Sequence, residues 1–237
     1  MYTWEIKELG IEFKTPSTWG EITISKFAQY QHLVQEMQKE FVDKFNLKDE
    51  TEINTVTDIE IFTVYPNYFL KLICFWSGLT HAQAYQINKT DFLSCYKYMN
   101  QLLAKNTKER GIDRFDFDGV AYLFPRSLND INGNTALMAK EAFGAMIYTF
   151  QQEQNLKELG KGRFNVIANQ MAITCRPEGE PYNFDIANER AKLFQNLTMD
   201  IVWEWVFFSI IRSNLFTSNT RIYLEEEAVK GTDSPVN

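Results

Sequence analysis

Histidine is almost missing: the chain has two, His32 and His81, in 237 residues. Metal centres and general-base catalysis both draw on convergent imidazoles and carboxylates. Neither histidine has such company in sequence. His32 has Glu36 four residues on, a pairing common on helices that bind no metal, and His81 follows Thr80 at a helix-start position where a ring sits exposed. Cysteine is scarce as well. Cys74, Cys95 and Cys175 lie far apart with no CxxC, the pattern of reduced thiols buried as small apolar groups. No GxSxG, GxxxxGK[ST] or GxGxxG occurs, and "GKG" at 160–162 lacks both a following Ser or Thr and a preceding strand. These absences predict a non-enzymatic protein with no cofactor and no metal.

Runs of one kind are missing too. The densest basic stretch is "KNTKER" at 105–110, which reads as a solvated loop, while the chain as a whole carries 31 acidic and 24 basic residues and a net charge of -7. A phosphate backbone is held mainly by Lys and Arg, so nucleic acid is not the expected principal partner. The most membrane-like segment, "LTMDIVWEWVFFSIIRSNLF" at 197–216, is interrupted by Asp200, Glu204 and Arg212. Its apolar core falls well short of the roughly 20 residues a spanning helix needs. The opening "MYTWEIKELG" has neither a basic start nor an apolar run, so no secretory leader is expected. The expectation is a soluble, intracellular protein with no membrane partner.

What the chain does hold is rings: 19 Phe, 11 Tyr and 5 Trp, 15% of all residues. Rings fill cores first, and they also favour contact surfaces. Their spacing divides the chain into elements. Trp4 and Ile6, then Ile11 and Phe13, predict two short strands around Gly10, ended by Pro16. From Thr23 the period changes to three and four, with Phe27, Tyr30, Leu33 or Val34, Met37, Phe41 and Phe45 on one stripe of a long helix. A polar linker at 46–58 leads to an apolar block in which Pro66 starts a helix that Gly78 ends. Thr80 then caps a short helix, and Thr90 or Asp91 a longer one that ends before Gly111.

"RFDFDGVAYLFP" at 114–125 poses a choice between a calcium loop and a turn. Setting Gly119 at position 6 of an EF-hand loop puts Asp116 and Asp118 at positions 3 and 5. It also puts Arg114 where the first carboxylate belongs and Pro125 where the closing Glu belongs, so the ligand set fails. Asp-Gly between two strand-like runs is instead a preferred two-residue hairpin turn, with Phe115 and Phe117 on one face and Asp116 facing water.

After a loop, Asn134 or Thr135 caps a long helix with Leu137, Ala139, Phe143, Met146, Ile147 and Phe150 inward. "RFNVIANQMAITC" is a further helix stopped by "RPEGEP", Asp185 caps the next, and Thr198 or Asp200 begins the last, through Phe216. Glu204 sits among apolar neighbours there, and its four-residue spacing from Asp200 reads as one polar stripe. Residues 225–237 show no apolar periodicity and read as a flexible tail. The fold class is therefore mainly α, a multi-helix globular protein with short N-terminal and central β-hairpins. It reads as one domain over 1–224, with a candidate sub-boundary near 106–134.

Three segments in order carry a resemblance. "PSTWGEITISKFAQYQHL" joins a Trp-centred turn to a helix start; "FDFDGVAYLF" precedes the long helix "TALMAKEAFGAMIYTF"; and "NVIANQMAITCRPEGEPYNFDIANERAKLFQNLTMDIVWEWVFFSI" links an apolar helix, an Arg-Pro stop, a Tyr-Asp loop and an aromatic final helix. This order resembles the tail-assembly chaperones of tailed phages, over about 180 residues by element order and without a signature residue. The resemblance implies a cytoplasmic protein of the host cell that binds the helical tape-measure protein and keeps it soluble during tail morphogenesis. A structural virion component (tail or head-tail adaptor) and a host-directed binding protein are the alternatives, and self-association is left open. An aromatic surface covers an apolar helix stripe well. The candidate partner-binding residues are Trp76, Trp203, Trp205, Phe207 and Phe208, with 203 and 207 on one helix face and 205 and 208 on another.

Overall fold

The computed structural model describes residues 1–49, 52, 55–104, 111–124, 145, 149, 152 and 164–206. It is mainly helical, with two small antiparallel hairpins. Strands β1 (Tyr2–Ile6) and β2 (Ile11–Thr15) pair with Trp4 opposite Phe13 and Ile6 opposite Ile11, so alternate residues Ile6 and Phe13 turn inward. A single 3₁₀ turn at Lys7–Leu9 joins them. Thr23 accepts the Lys26 N–H and starts helix α1 (Ile24–Phe45), which ends at Asn46 in the left-handed region. Phe27, Met37 and Phe41 of the expected stripe are buried, and Tyr30, Leu33, Val34 and Phe45 are half-buried.

Helices α2 (Asp58–Val64), α3 (Pro66–Ser77) and α4 (His81–Gln86) follow the sequence signals closely. Thr57 with Glu60 and Thr80 with Gln83 each form a capping box, Pro66 occupies the first turn of α3, and Gly78 closes it. Helix α5 (Lys89–Ala104) corrects one expectation. Its cap is Asn88, whose Oδ1 accepts the Asp91 N–H at 3.0 Å and whose Nδ2 donates to the Asp91 carboxylate at 2.8 Å. With Asn88 as cap the helix begins earlier than Thr90 or Asp91 would start it, and Asp91 lies inside the first turn, against the positive helix end.

Strands β3 (Arg114–Phe117) and β4 (Val120–Leu123) form the central hairpin, with Phe115 opposite Tyr122 and Phe117 opposite Val120. Asp118 and Gly119 have φ of 50° and 74°, both positive, as a type I′ turn requires. Helices α6 (Phe164–Thr174), α7 (Phe184–Phe194) and α8 (199–206) complete the described chain. Asn183, not the expected Asp185, caps α7 by accepting the Ile186 N–H, and Asp185 falls inside the first turn. Positions 145, 149 and 152 are helical; the rest of the helix expected there, the last helix beyond 206 and the 225–237 tail lie outside the described residues.

Two apolar clusters build the interior. One gathers Ile22, Ile24 and Phe27 with Ile167, Met171, Phe194, Val202 and Trp205. The other gathers Ile6, Phe13 and Phe41 with Phe69, Ile73, Phe92 and Cys95. Three helices run through both: Phe27 and Phe41 belong to α1, Trp76 and Phe69 to α3, Met99 and Phe92 to α5. Helix α6 lies at the centre of the first. Val166 to Ala168 and Gln170 to Thr174 are all buried, and Asn169 between them is half-buried. Backbone bonds close this cluster across the length of the chain: Ile24 N–H donates to the Leu197 carbonyl, Ser25 N–H to Gln195 and Met199 N–H to Ile22, at 2.9, 3.0 and 2.7 Å. Among the described residues no helix is long and apolar enough to cross a membrane.

Candidate functional site

The aromatic residues singled out in the sequence fall mostly inside. Trp205 is 1% exposed, and its Nε1–H donates to the Thr174 hydroxyl at 2.9 Å. Trp76 is 5% exposed, with Tyr30 at 5.0 Å and Phe75 at 4.9 Å between ring centroids. Trp203 is half-buried and meets Trp19 edge-on at 5.5 Å. The i, i+2 spacing puts Trp203 and Trp205 on different faces of α8, and the face bearing Trp205 lies on α6. Trp76 and Trp205 are therefore core rings in this structure, with no exposed surface to offer a partner. Phe207 and Phe208 lie outside the described residues. Glu204 is also buried, so it does not form a wet stripe with half-buried Asp200, as its spacing predicted.

The other chemical candidates have structural settings. Burial pushes the thiols of Cys95 and Cys175 up to about 12 and raises that of half-buried Cys74. His32 is exposed, 3.7 Å from the Glu36 carboxylate, and His81 is exposed at the start of α4. No group of three His, Cys, Asp or Glu side chains that could hold a metal ion occurs among the described residues. One polar cluster had no sequence signal. The Lys71 ammonium lies 2.7 Å from each Glu40 oxygen, and the buried Tyr65 hydroxyl donates to the same carboxylate. Hydrogen bonds from Lys71 and then Tyr65 hold the Glu40 carboxyl below its ordinary range, while burial first and the bond to Glu40 second raise the Tyr65 phenol. These bonds tie α1 to α3 and the residue that precedes it.

Among the described residues, exposed large apolar side chains occur at several places, Val64 and Tyr85 among them, and α7 carries three of them beside a groove. The buried side of α7 presents Ala187, Arg190, Ala191 and Phe194 to the core. Phe194 meets Phe115 and Tyr122 of the central hairpin at 5.9 and 5.0 Å. Arg190 fixes the helix in place. Its guanidinium is 6% exposed, donates to the Ala172 carbonyl near the end of α6 at 3.1 Å, and pairs with the Glu180 carboxylate. It also lies 5.4 Å from the centre of the Tyr122 ring. Arg176 donates to the Glu180 carbonyl, and its own carbonyl accepts the Leu123 N–H, so the hairpin edge joins the same node. One buried cation thereby ties together α6, the following turn, α7 and β4, and its position at the carbonyl end of α6 suits the helix dipole.

Held this way, α7 turns Phe184, Ile186 and Leu193 outward at 62%, 46% and 46% exposure. Ile186 and Leu193, seven residues apart, share one flank; Phe184 lies on the other. Along the Phe184 flank runs an open groove of ≈ 690 Å³ lined by Asn169, Asp185, Asn188, Glu189, Lys192 and Gln195. It continues through Asn169, Asn188 and Ala191 into a pocket of ≈ 180 Å³ walled by Ile173, Tyr182, Phe184 and Ala187, with Thr149 and Gln152 opposite. An apolar pocket with side-chain amides around its mouth is suited to gripping a side chain while satisfying the polar groups beside it.

No match decides the matter. No protein-family model, curated protein sequence or solved structure matches the chain. The face of α7 was not legible from sequence, because "FDIANERAKLF" has apolar residues on several sides and only tertiary contacts select the buried one. The usable signal was the charge in that stripe: Arg190 falls on the same face as Ala187 and Phe194, which marks a buried, paired arginine in place of a solvated one.

Proposed function

We propose that this chain is a non-enzymatic binding protein that shields an amphipathic segment of another protein on the α7 face. In the resemblance drawn from the sequence, that is the work of a tail-assembly chaperone on the tape-measure protein during phage tail morphogenesis. Phe184 is the observation that carries the reading. A phenylalanine 62% exposed at the wall of an apolar pocket leaves surface in water that a partner would cover. Such a ring, rimmed by amides and charges, has the anatomy of a contact centre.

The test is affinity capture of the tagged full-length chain from cells co-expressing a tail gene cluster, beside the Phe184→Ala variant, with a blot of purified particles. A tape-measure chain recovered by the parent, depleted in the variant and unaccompanied by signal in particles, supports the chaperone reading. A strong signal in particles makes the protein a virion component and overturns it. Equal recovery by both chains removes the α7 face from the account.

A further inference from the structure

We infer that the segment received on α7 is a basic amphipathic helix, which seats one large apolar side chain beside Phe184 and sets Lys or Arg residues against Asp185 and Glu189. This rests on the protein-binding reading and adds the partner's chemistry. The exposed charges between residues 176 and 196 are lopsided. Glu178, Asp185 and Glu189 are exposed carboxylates and Lys192 is the one exposed cation of that stretch, paired with Glu189 at 2.6 Å, so three negative charges against one positive leave an excess of two carboxylates. Both arginines of the stretch are buried, with Arg190 paired to Glu180, so neither supplies positive surface. The result is an apolar surface in an acidic frame, on a chain of net charge -7.

That combination selects among occupants. A second copy meeting this face across a two-fold axis would set an excess of carboxylates against the same excess, with Lys192 the one exposed cation of the stretch to offset it, which like-charge repulsion opposes. Nucleic acid and anionic lipid surfaces are repelled for the same reason. A basic helix satisfies both halves of the surface at once. Its apolar stripe covers Phe184, and its cations flank the stripe where the carboxylates stand. The pocket, at ≈ 180 Å³, exceeds the roughly 150 Å³ that accepts benzene in an engineered core, so one ring or branched aliphatic side chain fits. The groove's amides, Asn169, Asn188 and Gln195, can serve the polar groups at the edge of the contact.

Titration calorimetry on the full chain with three synthetic helices of about 20 residues tests this. The first carries Leu on one face and Lys on the other, the second replaces Lys by Glu, and the third keeps Lys and replaces Leu by Gln. Expected is binding of the Lys/Leu helix at least tenfold tighter than either control, weakening as salt rises. Phe184→Ala should lower that affinity by about tenfold with circular dichroism and melting temperature unchanged. Glu189→Lys should narrow the gap between the Lys/Leu and Glu/Leu helices. Equal or tighter binding of the Glu/Leu helix overturns the inference, as does an affinity indifferent to Phe184→Ala. If the Lys/Leu helix fails while captured partner is still lost with Phe184→Ala, the charge inference falls and the binding reading stands. If Phe184→Ala changes neither, both fall.

Discussion

At Trp205 two contributions can be separated. Trp205→Phe keeps most of the buried ring and leaves the Thr174 hydroxyl without its indole donor, so it should cost about 1 to 2 kcal/mol. Trp205→Ala also opens a cavity beside Met171 and Val202 and should cost about 3 to 5 kcal/mol; urea melts of the two variants check the difference. The cysteines give a second residue-scale expectation. Burial raises Cys95 and Cys175 to about 12, above their value in the unfolded chain. For an acid shifted upward, the folded state holds the proton longer. The neutral thiols therefore leave stability intact below about pH 8.5, and it declines as pH rises from there toward 12. At pH 8 iodoacetamide should modify half-buried Cys74 first, and all three only in denaturant, with peptide mass spectrometry as the readout.

Among elements, the Arg190 node dominates the placement of the candidate site. Arg190→Met removes the guanidinium that reaches Glu180, Ala172 and Tyr122 together, and it takes the Arg190 ion pair from a partly buried carboxylate. A loss of about 3 to 5 kcal/mol is expected, and adding Glu180→Gln should recover part of it; a double-mutant cycle by chemical denaturation measures the coupling. In the central hairpin, Gly119→Ala forces a side chain into φ 74° and should cost about 1 kcal/mol, although a Cβ there meets nothing within 4 Å. These elements also mark how much the sequence reveals. The hairpin turn, Pro66, Gly78 and the Thr80 cap are legible because each depends on residues within four positions of one another. The exposed face of α7, the burial of Glu204 and the inward turn of Trp76 depend on which distant element arrives to cover them. Periodicity says that a helix has faces; it does not say which of two adequate apolar faces is covered.

For the whole molecule, the continuity of α1, α3 and α5 through both apolar clusters predicts joint melting. Trp19, Trp76, Trp203 and Trp205 pack in or against the first cluster, and Trp4 against the second. Tryptophan fluorescence therefore reports mainly on one cluster while far-ultraviolet circular dichroism averages over all helices. Coincident urea transitions by the two probes are expected, and a fluorescence transition displaced from the dichroism would show two separable units.

The backbone bonds between residues 22–25 and 195–199 have a consequence on the ribosome. Ser25 and Gln195 stand about 170 residues apart, a distance synthesised in roughly 10 to 35 s at ordinary elongation rates. Throughout that interval Ile22, Ile24 and Phe27 have left the exit tunnel without α6, α7 or α8 to pack against. The nascent N-terminal third is thus an apolar, half-covered chain, a substrate for whatever holds emerging polypeptides in the cell. Shortening the wait, by circular permutation that brings these two segments together in synthesis, should raise soluble yield without altering the finished fold.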